Sequence, residues 1–486
     1  MLRNLLLIAL CFSIAITPTY APAAAVVASP PQAQDTASID PLLKKSYLEL
    51  LALAPTLRFT SQQFEQTRKR LKTEEERKKN ELKEKQKGFE KQIQQLQGEL
   101  KKLNQQSSTD TEQIAAQRHD LHCRIQAVQS QLADTKVELQ NGVPVEYENL
   151  QAKLDLMEKW PAARRETARQ VESGQARNRR WGDVEDIGFR VIEANQEDDI
   201  KDGQEAIQQM KQLGLLPKEI QDPEITEYVN RVAQNIARNS DLKVPLNVTL
   251  LNSKEINAFA LPGGFLFINH GLVLEAKNEA QLAGVLAHEI SHDVARHGHR
   301  LMKKATIASL IYQAAQIGAL IFTGGAVGIG TYYALQYGFQ GLGLVLSLQL
   351  LGVSRDYELE ADQLGVQYVW KAGYNPEGFI QFFDIIASKE GYVEKTSFFR
   401  THPAFYDRIV ESYREISFLP QQEQAIENTR EFEAAQIKLK KIAEDLEKED
   451  KDAPSLFKKE KGCPVEPDKG PGAVTSSMTE TARPLL

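Results

Sequence analysis

Cysteine is scarce in this chain: three in 486 residues. That excludes a disulfide-stapled scaffold and a cysteine-built metal site. Cys11 follows the bulky Leu10 inside an apolar amino-terminal run, which argues against a lipid-modified cysteine. Beyond it remain Cys123, in a helical region, and Cys463, in a polar tail, so no structural disulfide is expected. Charge of one sign is also wanting. A net charge of −7 is modest for this length and points neither to nucleic acid nor to an acidic substrate. One stretch, Ala305 to Ser354, has no charged residue at all.

What is present is the run His288-Glu289-Ile290-Ser291-His292. Histidines at i and i+4 share one helical face and can grip a single Zn²⁺, with Glu289 beside the open position to take a proton from water. Ala280, Leu282, Val285, Leu286 and Ile290 recur at helical spacing and give the motif a helix with a buried apolar stripe. A third ligand is needed. Ala295 and Gly298 stand where a metzincin carries Gly and His, so that subclass is excluded. His297 and His299 fall on other faces of the helix or past its end at Gly298, near the surface. The segment Ser354 to Asp362 offers Glu358 and Asp362 on one helical face. One carboxylate can bind metal while the other orients a ligand histidine through its ring N–H.

These residues occur in an order that resembles the HtpX and CAAX prenyl protease family of zinc metallopeptidases. The resemblance rests on LAHEISH, on the E-x-x-x-D in SRDYELEAD, on His402-Pro403 in SFFRTHP, and on NAFALPGGFLFINHGLV before the zinc helix. It covers about Gln204 to Ser417. By this resemblance His288, His292 and Glu358 are ligands of one Zn²⁺, Glu289 is the general base, and Asp362 partners a ligand histidine. Glu360 competes with Glu358 for the ligand role. His402 and Arg408 match residues near the catalytic centre, Arg408 either polarising a carbonyl or holding a loop. Asn257, Ala258 and Phe259 match the edge that takes up substrate as an added strand, although periodicity alone also allows a packed loop.

Further organisation follows from composition. Arg3, the apolar run Leu5 to Ile16 and the small residues Ala21 to Ala28 read as a secretory signal peptide (1–28), cleaved after Ala25 or Ala28. A linker (29–57) precedes a helical region (58–175). There Leu82, Phe89, Ile93, Leu96, Leu100 and Leu103, then Ile114, Leu121, Ile125, Val128, Leu132 and Leu139, trace two coiled-coil seams. The break at 105–110 suggests an antiparallel hairpin, and the seam could alternatively pair two copies. A third helix is expected after Asn141-Gly142-Val143-Pro144. The metallopeptidase domain (185–420) contains strands at Asn247 to Leu251 and Phe265 to Ile268, and the uncharged insert 305–354. That insert is either buried or membrane-surface helices, or a transmembrane hairpin. A charged helix (421–449) and a Pro/Gly-rich disordered tail (450–486) end the chain.

The expected fold is mainly α, with an α+β catalytic domain of HExxH gluzincin type behind a coiled-coil hairpin. The expected function is zinc-dependent endoproteolysis of envelope proteins in quality control, in the periplasm, with the insert as the candidate point of any membrane association. The rival reading is a non-catalytic coiled-coil scaffold or chaperone with a structural zinc.

Overall fold

The computed structural model describes residues 38–105, 112–174, 179–190, 196–212, 216–302, 355–388 and 406–449. The signal peptide, the insert 305–354, His402 and the tail from 450 lie outside them. No helix among the described residues is long and apolar enough to cross a membrane.

The N-terminal half is helical: α1 (Tyr47–Leu53), α2 (Ser61–Gln105), α3 (Glu112–Val137) and α4 (Val143–Glu172). The expected linker 29–57 needs correction, because its second half is folded. Ser46 and Glu49 form a capping box that starts α1, and Tyr47 and Leu50 are fully buried. The expected turn near Asn141 is also not a break. A π-helical turn, Glu138–Gly142, joins α3 to α4, and Pro144 follows in the first turn of α4. Helix α2 therefore packs antiparallel to α3 and then along α4. Ile93, Leu96, Leu121, Ile125, Val128 and Leu132 fill the α2–α3 seam within one chain, and Lys136 Nζ lies 3.5 Å from Glu90. Cys123 on α3 is disulfide-bonded, contrary to expectation. Cys11 and Cys463 both lie outside the described residues.

The remainder comprises α5 (Gln196–Gln212), α6 (Pro223–Arg238), α7 (His270–Glu275), α8 (Glu279–Val294), α9 (His297–Met302), α10 (Arg355–Lys371), α11 (Glu377–Ser388), α12 (Tyr406–Phe418) and α13 (Arg430–Glu449). A three-stranded sheet, β1 (Asn247–Leu251), β2 (Ala258–Leu261) and β3 (Phe265–Asn269), has the order β1-β3-β2. β1 runs parallel to β3, and β2 antiparallel with Phe259 opposite Phe267. The mainly helical α+β expectation is borne out. The C-terminal helix starts at Arg430 rather than 421, because residues before it are used against the start of α8: Ala280 N donates to Glu427 O at 3.0 Å.

The two halves share a core. Asp384 of α11 accepts the backbone N–H groups of Tyr47 and Leu48 at the start of α1. Trp160 Nε1 donates to Leu51 O at 3.0 Å, and its ring meets Tyr413 of α12 edge-on at 5.0 Å. These contacts brace α12, which carries Arg408.

Candidate metal centre

Helix α8 bears the HExxH run and is buried on nearly every side, not along one stripe as expected. From Glu279 to Val294 only His292 is partly exposed. Glycines permit this close packing. A Cβ on Gly378 would stand 2.5 Å from the Ala280 backbone, one on Gly284 2.8 Å from that of Phe379, and one on Gly365 3.1 Å from His288 N. Helices α10 and α11 thus approach α8 at backbone distance. The start of α8 is pinned by Glu279, buried, which accepts from the hydroxyls of Tyr228 and Tyr374 at 2.9 Å each and from Thr429. Burying a charge is tolerable only with such a complete set of donors.

One turn on, three donors converge. His288 Nε2 and His292 Nε2 are 3.0 Å apart. Glu358 Oε2 lies 3.6 Å from His288 Nε2, and Oε1 lies 3.3 Å from His292 Nε2. Ligand bonds of about 2.0–2.1 Å at a tetrahedral angle separate donor atoms by about 3.3 Å. These separations, two of them to different oxygens of Glu358, are of that order, and His288, His292 and Glu358 form a group able to hold one small cation. Glu360 does not join them. Its Oε2 lies 3.2 Å from His297 Nε2 and 3.7 Å from Arg300.

Behind the donors sits a second layer. Asp362 Oδ1 is 3.0 Å from His288 Nδ1, on the side of the ring opposite the donor cluster that Nε2 faces. Arg408 is fully buried. It donates Nε and Nη2 to the two Asp362 oxygens at 2.6 and 2.7 Å, and its Nη1 is 2.9 Å from Glu358 Oε2. The guanidinium therefore faces the two carboxylates, the geometry of a positioning group. Burial pushes the Asp362 carboxyl up, but the Arg408 charge and hydrogen bonds outweigh it, and Asp362 lies below its ordinary 3.8. Glu289 differs. Burial drives it up to about 8, with His288 opposing and Glu358 adding to the rise; the Ala260 backbone also bonds to it.

The edge of the sheet passes beside Glu289. Asn257 is buried just before β2, and Ala258 and Phe259 lie on β2 at the sheet's edge; the ring of Phe259 stacks on Phe267 at 5.0 Å. The β2–β3 turn uses Gly263 and Gly264 at φ of 89° and 85°. Asp293 on α8 accepts from Gly263 N at 3.2 Å, so the helix that bears the HExxH run holds the hairpin directly. His402 lies outside the described residues.

Residues 220–414 match peptidase family M48. The M48 match spans α6 through most of α12 and so includes the donor cluster. Among similar proteins, a putative beta-barrel assembly-enhancing protease of Vibrio cholerae is 34% identical over 198 residues, 40% of this chain and 39% of its own length. The beta-barrel assembly-enhancing protease of Escherichia coli K12 is 27% identical over 201 residues, again 40% and 39%. The mitochondrial metalloendopeptidase OMA1 of Schizosaccharomyces pombe is 32% identical over 189 residues, 38% of this chain and 51% of that protein. The chain thus spans about two fifths to one half of these relatives.

His297 was misplaced by sequence reasoning. On a continuous helix it would sit about 140° round from His292, facing away. Instead α8 ends at Val294, and Arg296 adopts φ 56°, in the left-handed region. Two Arg296 hydrogen bonds of 2.7 Å to Asp199 fix that turn. The chain doubles back, and His297 is buried with Nδ1 2.9 Å from His292 Nδ1. Gly298 had seemed the helix stop; the break falls two residues earlier, at a residue with no sequence signal for it. His299 Nδ1 lies 2.8 Å from Asp199 and 3.5 Å from Asp202, beside Arg296, which already occupies both Asp199 oxygens.

Proposed function

We propose that the chain is a zinc-dependent endopeptidase that hydrolyses peptide bonds in envelope proteins, with His288, His292 and Glu358 holding one Zn²⁺. The observation that carries this reading is the convergence of His288 Nε2, His292 Nε2 and the Glu358 carboxylate at contacts of 3.0, 3.3 and 3.6 Å, with Glu289 buried beside them. Zinc, when bound, would polarise the scissile carbonyl and make water a usable nucleophile near neutral pH. Glu289 takes the proton from the attacking water and returns it to the leaving amine. Its burial keeps its affinity for a proton high enough for that return. Asp362 fixes the ring of His288, and Arg408 fixes Asp362 and Glu358 together. The β2 edge, with Asn257, Ala258 and Phe259, takes the substrate in as an added strand. By the family resemblance, His402 is assigned to the catalytic centre as a latch or transition-state donor.

Within family M48 we read the chain as closer to the beta-barrel assembly-enhancing proteases than to the HtpX/CAAX type, and the substrates as envelope proteins under quality control. A periplasmic location fits the amino-terminal signal pattern and the disulfide at Cys123, since disulfides persist in oxidising compartments. The units are a helical region (58–175), a peptidase domain (185–420) and the helix that closes it. The α2–α3 hairpin would meet protein partners or substrates.

The test is hydrolysis of casein by purified, zinc-loaded protein. Glu289→Gln should retain zinc and lose about 10³-fold or more of the activity, a scale set by the general-base contribution. Equal hydrolysis by wild type and Glu289→Gln would overturn the peptidase reading and favour a scaffold or chaperone with a structural zinc.

A further inference from the structure

The lone pair that His292 offers to the metal depends on its outer nitrogen, Nδ1, carrying the proton. Its partner at 2.9 Å is Nδ1 of another histidine, His297, which could either give or take that proton. Geometry beyond His297 decides the direction. Glu360 Oε2 sits 3.2 Å from His297 Nε2, and a carboxylate oxygen is the acceptor in such a contact. Nε2 of His297 must therefore carry hydrogen. In the neutral ring Nδ1 is then the bare acceptor and takes the hydrogen bond from His292 Nδ1–H. The opposite arrangement would aim a lone pair at a carboxylate and place a proton on His292 Nε2, where the metal belongs.

Other contacts hold the relay. The His297 ring stacks on Tyr357 at 4.3 Å and 11° between planes, and Arg300 lies over the other aromatic, Tyr357, at 5.7 Å. Arg300 also flanks Glu360 at 3.7 Å. The left-handed turn at Arg296 brings the ring there at all.

We infer that His297 is a positioning residue for the metal centre: with Glu360 it forms a directed Glu360–His297–His292 hydrogen-bond chain that sets the tautomer of His292 for metal binding. It parallels the Asp362–His288 pair, so each ligand histidine has its own acceptor. This rests on the ligand assignment of the preceding section.

The experiment measures Zn²⁺ affinity of the full chain by competition with a chromophoric chelator. His297→Phe keeps the aromatic stack but removes the acceptor, and should weaken zinc binding about 10–100-fold. His297→Gln, whose amide oxygen can accept from His292 Nδ1, should recover most of that loss, which a purely packing role would not. Glu360→Met, at a more exposed position, should weaken binding by a smaller factor, and supplies the answer if His297→Phe does not fold. His292→Ala is the control. If it leaves zinc affinity unchanged, the ligand assignment itself fails. If His292→Ala abolishes binding while a folded His297→Phe, or else Glu360→Met, binds zinc as tightly as wild type, the relay alone is overturned. A His297→Gln no better than His297→Phe also overturns it.

Discussion

Replacing Arg408 by Met gives the sharpest energetic test of the layer behind the metal centre. Arg408, Asp362 and Glu358 are all buried, and the guanidinium makes contacts of 2.6, 2.7 and 2.9 Å to the two carboxylates. Met keeps most of the aliphatic stem beside Phe383, over which the guanidinium now sits at 4.7 Å. It leaves two acidic groups together without their cation. Removing one partner of a buried pair costs about 3–5 kcal/mol, far above the 0–1 kcal/mol of an exposed pair. Metal-free Arg408→Met should therefore lose about 3–5 kcal/mol to chemical denaturation followed by circular dichroism. Arg408→Lys retains charge but not the two-pronged geometry, and should fall between. Zinc supplies positive charge at Glu358, so saturating zinc should narrow the gap between Arg408→Met and wild type. A metal-free loss below about 1 kcal/mol would refute the claim that this cation compensates the buried carboxylates.

Other outcomes follow from single contacts. Burial pushes Glu415 from 4.5 up to about 7 against the pull of Arg179 and Gln367. The native state then holds more protons than the unfolded chain between those pH values, so stability falls as pH rises from 4.5 to 7, by at most about 3 kcal/mol. Glu415→Gln should flatten that slope in denaturation curves taken at several pH values; an unchanged slope would assign it elsewhere. Gly378→Ala places a methyl 2.5 Å from the Ala280 backbone and should cost about 1–3 kcal/mol, with weaker zinc binding as α8 shifts. Leu96→Ala in the hairpin seam should cost about 2–5 kcal/mol, seen as faster amide exchange in α2 and α3, with zinc affinity unchanged.

Much of the candidate site was legible because its chemistry is local. Histidines at i and i+4, and Glu358 and Asp362 at the same spacing, declare a shared helical face wherever the helices end up. The seam of the hairpin was legible for the same reason. Residues whose placement depends on an exception were not. His297 turns inward only because Arg296, a residue that seldom takes φ near 56°, breaks the helix under the grip of Asp199. The π-helical turn at Glu138–Gly142 hid behind an Asn-Gly-Val-Pro string that ordinarily signals a stop. Strand β2 was legible only through resemblance, since Ala258–Leu261 is short and gains its strand geometry from pairing with β3. The fold of residues 40–57 was missed because a Pro- and Ala-rich lead-in masked the capping box at Ser46 and Glu49.

The central claim is that one zinc ion sits among His288, His292 and Glu358. X-ray absorption at the zinc edge of the purified, zinc-loaded chain tests it most directly. The account predicts two imidazole nitrogens and carboxylate oxygen among light-atom ligands at about 2.0–2.2 Å, with the imidazole signal reduced in His292→Ala. A sulfur shell near about 2.3 Å, or a spectrum unmoved by His292→Ala, would contradict it.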